Sequence, residues 1–514
     1  MNLGEVFYRQ MLRERNVEAI VDGDTRRTYA QWYEDICAVA GGLKHSGIKP
    51  GDHFVSILSN RLETATLYWA CQMLGAIFTP FNWRANGEEV AYVLADAEAV
   101  AVAFETRSKE AVDMALSRMD DSSIVALNID GDDFATLLEG LPVDCPSKIS
   151  EAEISLMLYT SGTTGRPKGV PRSHRAERLA AAHCFAQLCY KHGESTLGVM
   201  PMFHTMGVRS MLMCLLLNSK LVCLSVWDPE DAMRLIQDEK IDTLFLVPTM
   251  FHDMLHHPER SKYDLLSAQN IAYAGMAMTS ALTMLCAEEF SPRHFINFYG
   301  SSEIFCFAVC DHVADKPGCA GRAGIGQMLR VVAPDPDGHS TPRDIVPDGQ
   351  SGEIIAPMDG MEAFTGYWKR PDADAKSIRD GWYFTGDLGY FDKDGELFVA
   401  GRVDDMVISG GENIYPEEVE DILSKSPEVE QVAVIGMPDE RMGARIVAFV
   451  EPASQGCSAE TLDAYCLNSP LARFKRPRDY VFVKEIPRSA AGKLLRRYLR
   501  DGAYELNSEF ESTL

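Results

Sequence analysis

The sequence predicts an α/β protein with a large N-terminal domain and a small, mobile α+β C-terminal domain. The large domain is read as mostly parallel sheets flanked by helices, with a small β-subdomain. Three observations predict this. Through the first four hundred residues β-rich runs alternate with helical ones, the pattern of parallel strands joined by crossover helices. Near residue 400 the texture shifts to short strands and tight turns, then to a compact mixed segment of domain size. The length of 514 residues, 46% apolar and 24% charged, supports one large core and a second unit of ordinary globular composition.

In chain order, His53–Leu58 and Ala99–Phe104 read as strands, with the helix Glu63–Leu74 between them. Ile154–Leu158 is an apolar strand ahead of a glycine-rich turn, and Lys220–Val226 and Thr243–Val247 are strands around the helix Asp231–Glu239. Trp382–Phe384, Leu388–Phe391 and Glu396–Val399 read as short strands, with Asp394-Gly395 a strong hairpin signal. Beyond them Pro416–Ser424 reads as a helix with Pro near its first turn. Val432–Ile435, Ile446–Val450 and Tyr480–Val483 read as strands, Ala459–Cys466 as a helix and Lys493–Arg500 as a basic helix. The boundary falls at the polar joint Val403–Asp405, giving domains 1–403 and 404–514; a joint this short suits a hinge.

Charge and composition exclude several function classes. With 49 basic and 75 acidic residues the formal charge is −26, which repels phosphate backbones and anionic lipid, so neither nucleic acid nor a membrane surface is an expected partner. The 13 cysteines contain no C-x-x-C, and the closest pairs, Cys184/Cys189 and Cys306/Cys310, lack the His and Cys partners of a zinc site. They read as reduced thiols of a cytoplasmic protein. The amino end has no signal-peptide pattern and the carboxyl end no lipidation signal. The most apolar stretch, Met211–Val226, is broken by Asn218, Ser219 and Lys220 and is too short to span a bilayer.

The sharpest chemical signal is the run from Tyr159 through Thr160, Ser161, Gly162, Thr163, Thr164, Gly165, Arg166, Pro167 and Lys168 to Gly169, directly after the strand Ile154–Leu158. Glycines let backbone N–H groups approach an anion closely, and hydroxyls and a lysine add donors for phosphate oxygens. It is not a Walker A loop, whose G-x-x-x-x-G-K-[ST] spacing it does not match.

This loop resembles the phosphate-binding signature of the adenylate-forming enzymes: acyl-CoA synthetases, peptide-synthetase adenylation domains and luciferases. Four further segments are similar to family motifs and stand in family order. Asn297-Phe298-Tyr299-Gly300-Ser301-Ser302-Glu303 resembles the adenine-and-magnesium motif, and Tyr383-Phe384-Thr385-Gly386-Asp387 the ribose motif. Gly401-Arg402-Val403-Asp404-Asp405 with Ile408–Ile414 resembles the hinge segment, and Pro487–Lys493 the terminal lysine motif.

The resemblance implies an ATP-dependent carboxylic acid–CoA ligase using ATP, Mg²⁺ and coenzyme A, either a monomer or a homodimer. An acid would attack the α-phosphate of ATP, pyrophosphate would leave, and coenzyme A would then take the acyl group from the adenylate. Lys493 is the expected catalytic cation, reaching in from the mobile domain to neutralise two anions brought together. Glu303 would hold Mg²⁺, a hard cation that takes one or two carboxylate oxygens. Thr160, Ser161, Gly162, Thr163, Thr164, Lys168, Gly275, Asn297, Gly300 and Ser302 would contact ATP or AMP. Tyr299 would face adenine unless it is a core aromatic, Asp387 would bind the ribose hydroxyls, and Arg402 would fork onto ribose or phosphate unless it makes a structural ion pair.

Asp404 is the expected pivot, bringing Gly410, Gly411 and Glu412 to the site for the second step. Free coenzyme A is favoured over a carrier protein by the cluster Arg473–Arg478, with Phe474, Arg476 and Arg478 as phosphate and ring contacts, and by Arg84. Where chlorobenzoate–CoA ligases carry a tryptophan against the coenzyme, this chain has Met442. Phe203, His204, Met206, Val247, Ala274, Met276 and Ile304 are the expected acyl pocket, with His204 either bordering the carboxylate or packed in the core. No lysine or arginine stands out to pair a second carboxylate. The wording of Val403–Pro416 and Phe474–Pro477 is close to benzoate-type ligases, favouring a small aryl acid over a short- or medium-chain fatty acid. The alternatives are an adenylation enzyme loading a carrier protein and a catalytically silent nucleotide-binding module.

Overall fold

The computed structural model describes residues 1–119, 124–160, 166–334, 339–409, 412–488 and 494–513, the side chains of 408, 412 and 413 excepted. A six-stranded sheet runs in the order Val125–Asn128, Ala99–Phe104, His53–Ile57, Ile77–Pro80, Ile154–Thr160 and Lys168–Ser173. It is parallel except at its last pair. His53–Ile57 and Ile77–Pro80 are buried along their whole length, and His53 Nδ1 pairs between them with the Thr79 hydroxyl at 3.0 Å. The helix Leu62–Leu74 is buried from Thr64 to Leu74, with Tyr68 and Trp69 edge-on to Phe78 and Phe7.

A second sheet begins at the hairpin Glu18–Asp22/Thr25–Thr28 and continues through Lys220–Cys223, Ser195–Gly198, Thr243–Leu246, Asn270–Ala274 and His294–Tyr299. Its strands are parallel from Glu18–Asp22 to His294–Tyr299. Two antiparallel strands, Ala308–Cys310 and Cys319–Ala323, then lead into an antiparallel subdomain of Leu397–Arg402, Trp382–Phe391, Gly352–Pro357 and Arg330–Val332. Ligands of such sheets bind outside the carboxyl ends of the parallel strands, here Ala274 and Tyr299.

The last hundred residues form a three-stranded sheet, in which Val429–Asp439 pairs antiparallel with Gly443–Pro452 and Asp479–Phe482 joins in parallel. The helices Pro416–Leu423 and Ala459–Leu467 cover it. Among the described residues, the apolar clusters of this segment share no member with those of residues before 400.

The structure departs from the expected elements in two places and bears out the break in the apolar stretch. Trp382–Phe391 is one strand rather than two, passing through Gly386 at φ +71 with a bulge on each partner pairing. The basic helix starts only at Arg496, because Leu494 is held in a bridge to Arg488. The apolar stretch Met211–Val226 is divided by Asn218, which ends the helix Thr205–Leu217 in the left-handed region at φ +47 before the strand Lys220–Cys223 begins. No described helix is long and apolar enough to cross a membrane.

Candidate active site

The glycine-rich motif is the tip of a hairpin. Ile154–Thr160 and Lys168–Ser173 pair antiparallel up to Thr160 opposite Lys168, so these two residues close the loop. Ser161, Gly162, Thr163 and Thr164 lie outside the described residues. The Lys168 ammonium sits 4.1 Å from the centre of the Tyr367 ring, a cation–π contact that fixes its direction. Burial lowers the Lys168 pKa; Glu303 opposes that shift, and Arg370, Lys376 and Arg402 add to it. Four cations thus converge on one rim of a strongly acidic chain, a local field suited to a polyphosphate.

Glu303 is held from three sides. Gly300 is required in the turn before it, since a Cβ there would lie 1.7 Å from the Phe305 carbonyl oxygen. Ser301 Oγ accepts the backbone N–H of Glu303 and of Ile304, each at 3.2 Å, with the half-buried Ser302 between. Glu303 Oε1 accepts from the Tyr367 hydroxyl at 2.7 Å, and the residue is 6% exposed. Its carboxylate therefore meets a neutral donor, and Lys168 acts on it through space.

The ribose motif makes a second cluster. The Tyr299 hydroxyl donates to Asp387 Oδ2 at 2.6 Å, and Arg402 Nη1 pairs with Asp387 Oδ1 and donates to the Thr385 carbonyl at 3.1 Å. Burial raises the Tyr299 phenol, and the Asp387 charge raises Arg402. Tyr299 thus positions Asp387 through its hydroxyl, beyond offering a ring face. Asn297 Nδ2 donates to the Cys319 carbonyl at 2.8 Å and ties the adenine motif to the next strand.

Behind Glu303 lies a wholly buried ion network absent from the motif readings. Glu177 Oε1 accepts from Arg172 Nε at 2.9 Å and Arg209 Nη2 at 2.8 Å, all three side chains being 0% exposed. Arg172 Nη1 also donates to the carbonyls of Glu303 at 3.0 Å and Glu362 at 2.6 Å. Arg209, a buried arginine that the sequence does not mark, lies on the helix Thr205–Leu217, 4.4 Å from the Phe305 ring centre. Its charge is committed to Glu177. The sequence offers one signal for this network, an arginine inside an apolar strand with a glutamate five residues on; Tyr367 has none.

The expected acyl wall is apolar. Met206, Val247, Ala274 and Ile304 belong to one buried cluster, and Phe203 is buried beside the His204 ring at 4.7 Å. Met276 and His204 are half-buried, with His204 at the start of the helix Thr205–Leu217. Gly275 turns at φ +87 against Val247, whose Cγ1 would lie 3.4 Å from a Cβ there.

The coenzyme residues divide. Arg84 is exposed, with its guanidinium 3.8 Å from the Trp83 ring centre; Arg107 lies 5.1 Å from the same ring, and burial and Arg107 together lower the Arg84 pKa. Arg476 pairs with Asp463 and Lys475 with Glu418, so half of the cation cluster is engaged within the domain. Phe474 is 45% exposed, and Arg478 is exposed with its backbone N–H on the Ile446 carbonyl at 2.8 Å. Asp404 is exposed in the short turn Val403–Asp405. Gly410, Gly411 and Lys493 lie outside the described residues, and Glu412 pairs with Ser409 in a hairpin.

Two requirements of a nucleotide-activating site, a cationic hairpin and a carboxylate beside it, therefore stand together on one rim. The AMP-binding enzyme family profile matches residues 7–368, and the profile of the AMP-binding enzyme C-terminal domain matches residues 418–493. This chain belongs to the AMP-binding enzymes. A feruloyl-CoA synthase from an Amycolatopsis species is 32% identical over 97% of this AMP-binding enzyme and 98% of its own length. A 4-chlorobenzoate–CoA ligase from an Arthrobacter species is 31% identical over 95% and 93%. The crystal structure of an anthranilate–CoA ligase with anthranoyl-AMP superposes with a TM-score of 0.86 or better, namely 0.90, at 25% identity, covering 98% of this chain and 97% of that one. As a class, this AMP-binding enzyme is an acid–thiol ligase of the AMP-forming acyl-CoA synthetase kind.

Proposed function

We propose that the chain joins a small aryl carboxylic acid to coenzyme A through an acyl adenylate, with Lys493 and Glu303 as its catalytic and metal-holding residues. The observation that carries the reading is the Lys168–Tyr367–Glu303 arrangement, in which one phenol directs the phosphate-loop lysine with its ring and the carboxylate with its hydroxyl. Glu303 fits Mg²⁺: it offers an anionic oxygen ligand, nearly buried, beside the phosphate hairpin and bonded to a neutral hydroxyl. Bound there, the cation would neutralise phosphate charge. Lys168 and the hairpin hold the polyphosphate, and Asp387, set by Tyr299 and Arg402, accepts the ribose hydroxyls. Lys493 adds the charge needed as the carboxylate meets the α-phosphate.

The units proposed are 1–403 and 404–514, turning about Asp404. Separate apolar cores support that division. So does Asp405, which pairs with Arg500 at 2.7 Å and Arg496 at 3.4 Å, and so moves with the helix that follows Lys493. The acyl wall is apolar and Arg209 is bonded to Glu177, which it shares with Arg172; both support a monocarboxylic aryl acid. Coenzyme A binding is assigned to Arg84, Phe474 and Arg478, with Arg476 acting through Asp463. The thirteen free thiols support a reducing, cytoplasmic setting.

The test is a carboxylic-acid panel of benzoates, hydroxybenzoates, cinnamates and fatty acids of rising length, with ATP, Mg²⁺ and coenzyme A. Pyrophosphate and AMP are expected, with the highest kcat/KM on an aryl acid. Release of ADP and phosphate would overturn the adenylate mechanism, and a preference for fatty acids would overturn the substrate class.

A further inference from the structure

We infer that Cys310, His312, Cys319 and Glu396 form a closed structural site for one thiolate-preferring divalent cation of the zinc class, separate from the Glu303 site. One ligand atom each from Cys310, His312 and Cys319 lies within 4.8 Å of the other two. Four-coordinate zinc with Zn–S bonds of about 2.3 Å sets two sulfurs about 3.8 Å apart, inside the span within which the three ligand atoms lie. Glu396 stands beside this cluster. Its carboxylate lies 3.2 Å from His312 Nε2 and 3.9 Å from Cys319 Sγ.

Three features set this cluster apart from thiols that merely pack together. His312 directs Nδ1 to Asp311 Oδ1 at 3.0 Å, which leaves Nε2 turned to Glu396. A carboxylate behind the imidazole is the arrangement that fixes ring and tautomer of a metal-binding histidine. Cys319 Sγ accepts the backbone N–H of Gly321 at 3.2 Å, a donor that stabilises a thiolate. That N–H is placed by a bulge between Cys319 and Gly321, where Gly321 has φ +83 and a Cβ would lie 1.9 Å from the Val309 carbonyl oxygen. The set also balances in charge. Two thiolates, Glu396 and a divalent cation leave one negative charge beside the Lys316 ammonium, which lies 2.6 Å from Glu396, 3.2 Å from Asp394 and close to Asp392. Arg322 Nε is 3.5 Å from the other Glu396 oxygen.

Cys319 Sγ also lies 3.9 Å from the Leu397 carbonyl, and the Cys310 and Cys319 thiols share a hydrogen bond. Two S–H bonds break on loading, two metal–sulfur bonds form and two protons leave to solvent, so affinity rises with pH. The cysteine spacing Cys306/Cys310, which lacks partners in the sequence, is not the operative one. Cys310 meets His312 and Cys319 because the strands Ala308–Cys310 and Cys319–Ala323 pair antiparallel. The site lies directly behind the nucleotide motif, since Asn297 is the cross-strand partner of Cys310 and donates to the Cys319 carbonyl. Its role is to lock those strands.

The test loads the full-length protein with Co²⁺ as a spectroscopic probe and measures zinc content after purification without chelators. One equivalent of tightly held metal is expected, with a near-ultraviolet thiolate-to-cobalt band and visible bands of tetrahedral cobalt. Both should vanish in the Cys310→Ser/Cys319→Ser double variant. Asp311→Asn, which keeps all four ligands and changes an exposed side chain, should weaken cobalt affinity by about 10–100-fold, the usual consequence of losing such a support. Zinc should raise Tm in the wild type and leave the Asp311→Asn protein less stabilised at the same concentration. A cobalt spectrum unchanged in the double variant would overturn the site. So would equal affinities for wild type and Asp311→Asn, or peptide mapping that finds Cys310 and Cys319 joined as a disulfide.

Discussion

The nucleotide rim of the large domain and the inner edge of the small domain hold their charges in different ways. On the rim, neutral or main-chain partners from other elements support each ionic group, alongside one ion pair, Arg402 with Asp387: Tyr367 holds Glu303, Tyr299 holds Asp387, and the Thr385 carbonyl holds Arg402. On the small domain several charges hold one another near the proposed pivot: Arg496 meets Glu417 at 2.9 Å, Glu420 at 2.8 Å and Asp405 at 3.4 Å. A fixed cradle needs partners that do not move when a phosphate arrives. A turning unit needs its charges neutralised within itself, so that rotation breaks few bonds.

The largest expected effect breaks the comparison at its functional joint. Lys493→Ala should slow adenylate formation by about a thousandfold, the scale of one lost charge-stabilising donor. Transfer from a preformed acyl adenylate to coenzyme A should stay within a few fold. Pyrophosphate release and thioester formation, measured separately, decide it; equal losses in both would remove Lys493 from its role.

The second prediction concerns rigidity behind the rim. Glu177→Gln leaves Arg172 and Arg209 as two buried cations without their shared carboxylate, all three side chains being 0% exposed. Breaking a buried pair on one side costs about 3 kcal/mol or more. A thermal melt should show the loss, and the KM for MgATP should rise in the folded fraction, because Arg172 also carries the Glu303 carbonyl. An unchanged Tm would mean that the network contributes no net stability.

A smaller effect is expected at the pivot. Asp404→Pro fixes one backbone angle in the exposed turn Val403–Asp405. Adenylation should be spared and thioester formation reduced, by about 100-fold, since a locked unit keeps only the pose it holds. Equal inhibition of both steps would place the pivot elsewhere.

These tests also mark what the sequence could and could not convey. Strand–helix alternation marked the parallel sheets, because strands buried between helices, such as Ala99–Phe104, appear as unbroken apolar runs. The motifs placed Glu303 and Asp387 because the glycines before them, Gly300 and Gly386, are set by close packing and a positive φ that a larger residue would resist. Contacts that depend on distant segments meeting were not legible. Tyr367 touches Glu303 across 64 positions, and Arg209 reaches Glu177 across 32. Arg476 looked free for a phosphate, whereas Asp463, 13 positions earlier, takes its charge. Cys310 and Cys319 are brought to His312 by strand pairing that no cysteine spacing encodes.

The smallest effect sharpens the comparison from the side of the small domain. Burial lifts Glu417 from its ordinary 4.5 to about 7, against the pull of Arg496. It lies against the end of the strand that leads to the pivot, where Gly401 at φ +137 would place a Cβ 2.2 Å from Glu417 Oε2. Between those two pH values the folded chain binds more protons than the unfolded one, so stability falls as pH rises from 4.5 to 7 and is level above. Glu417→Gln cannot ionise and should flatten that part of the Tm-against-pH profile while leaving other pH dependence in place. If Glu417→Gln kept the wild-type slope in that window, the titration would not belong to Glu417, and the contrast between the rim and the small domain would lose its sharpest mark.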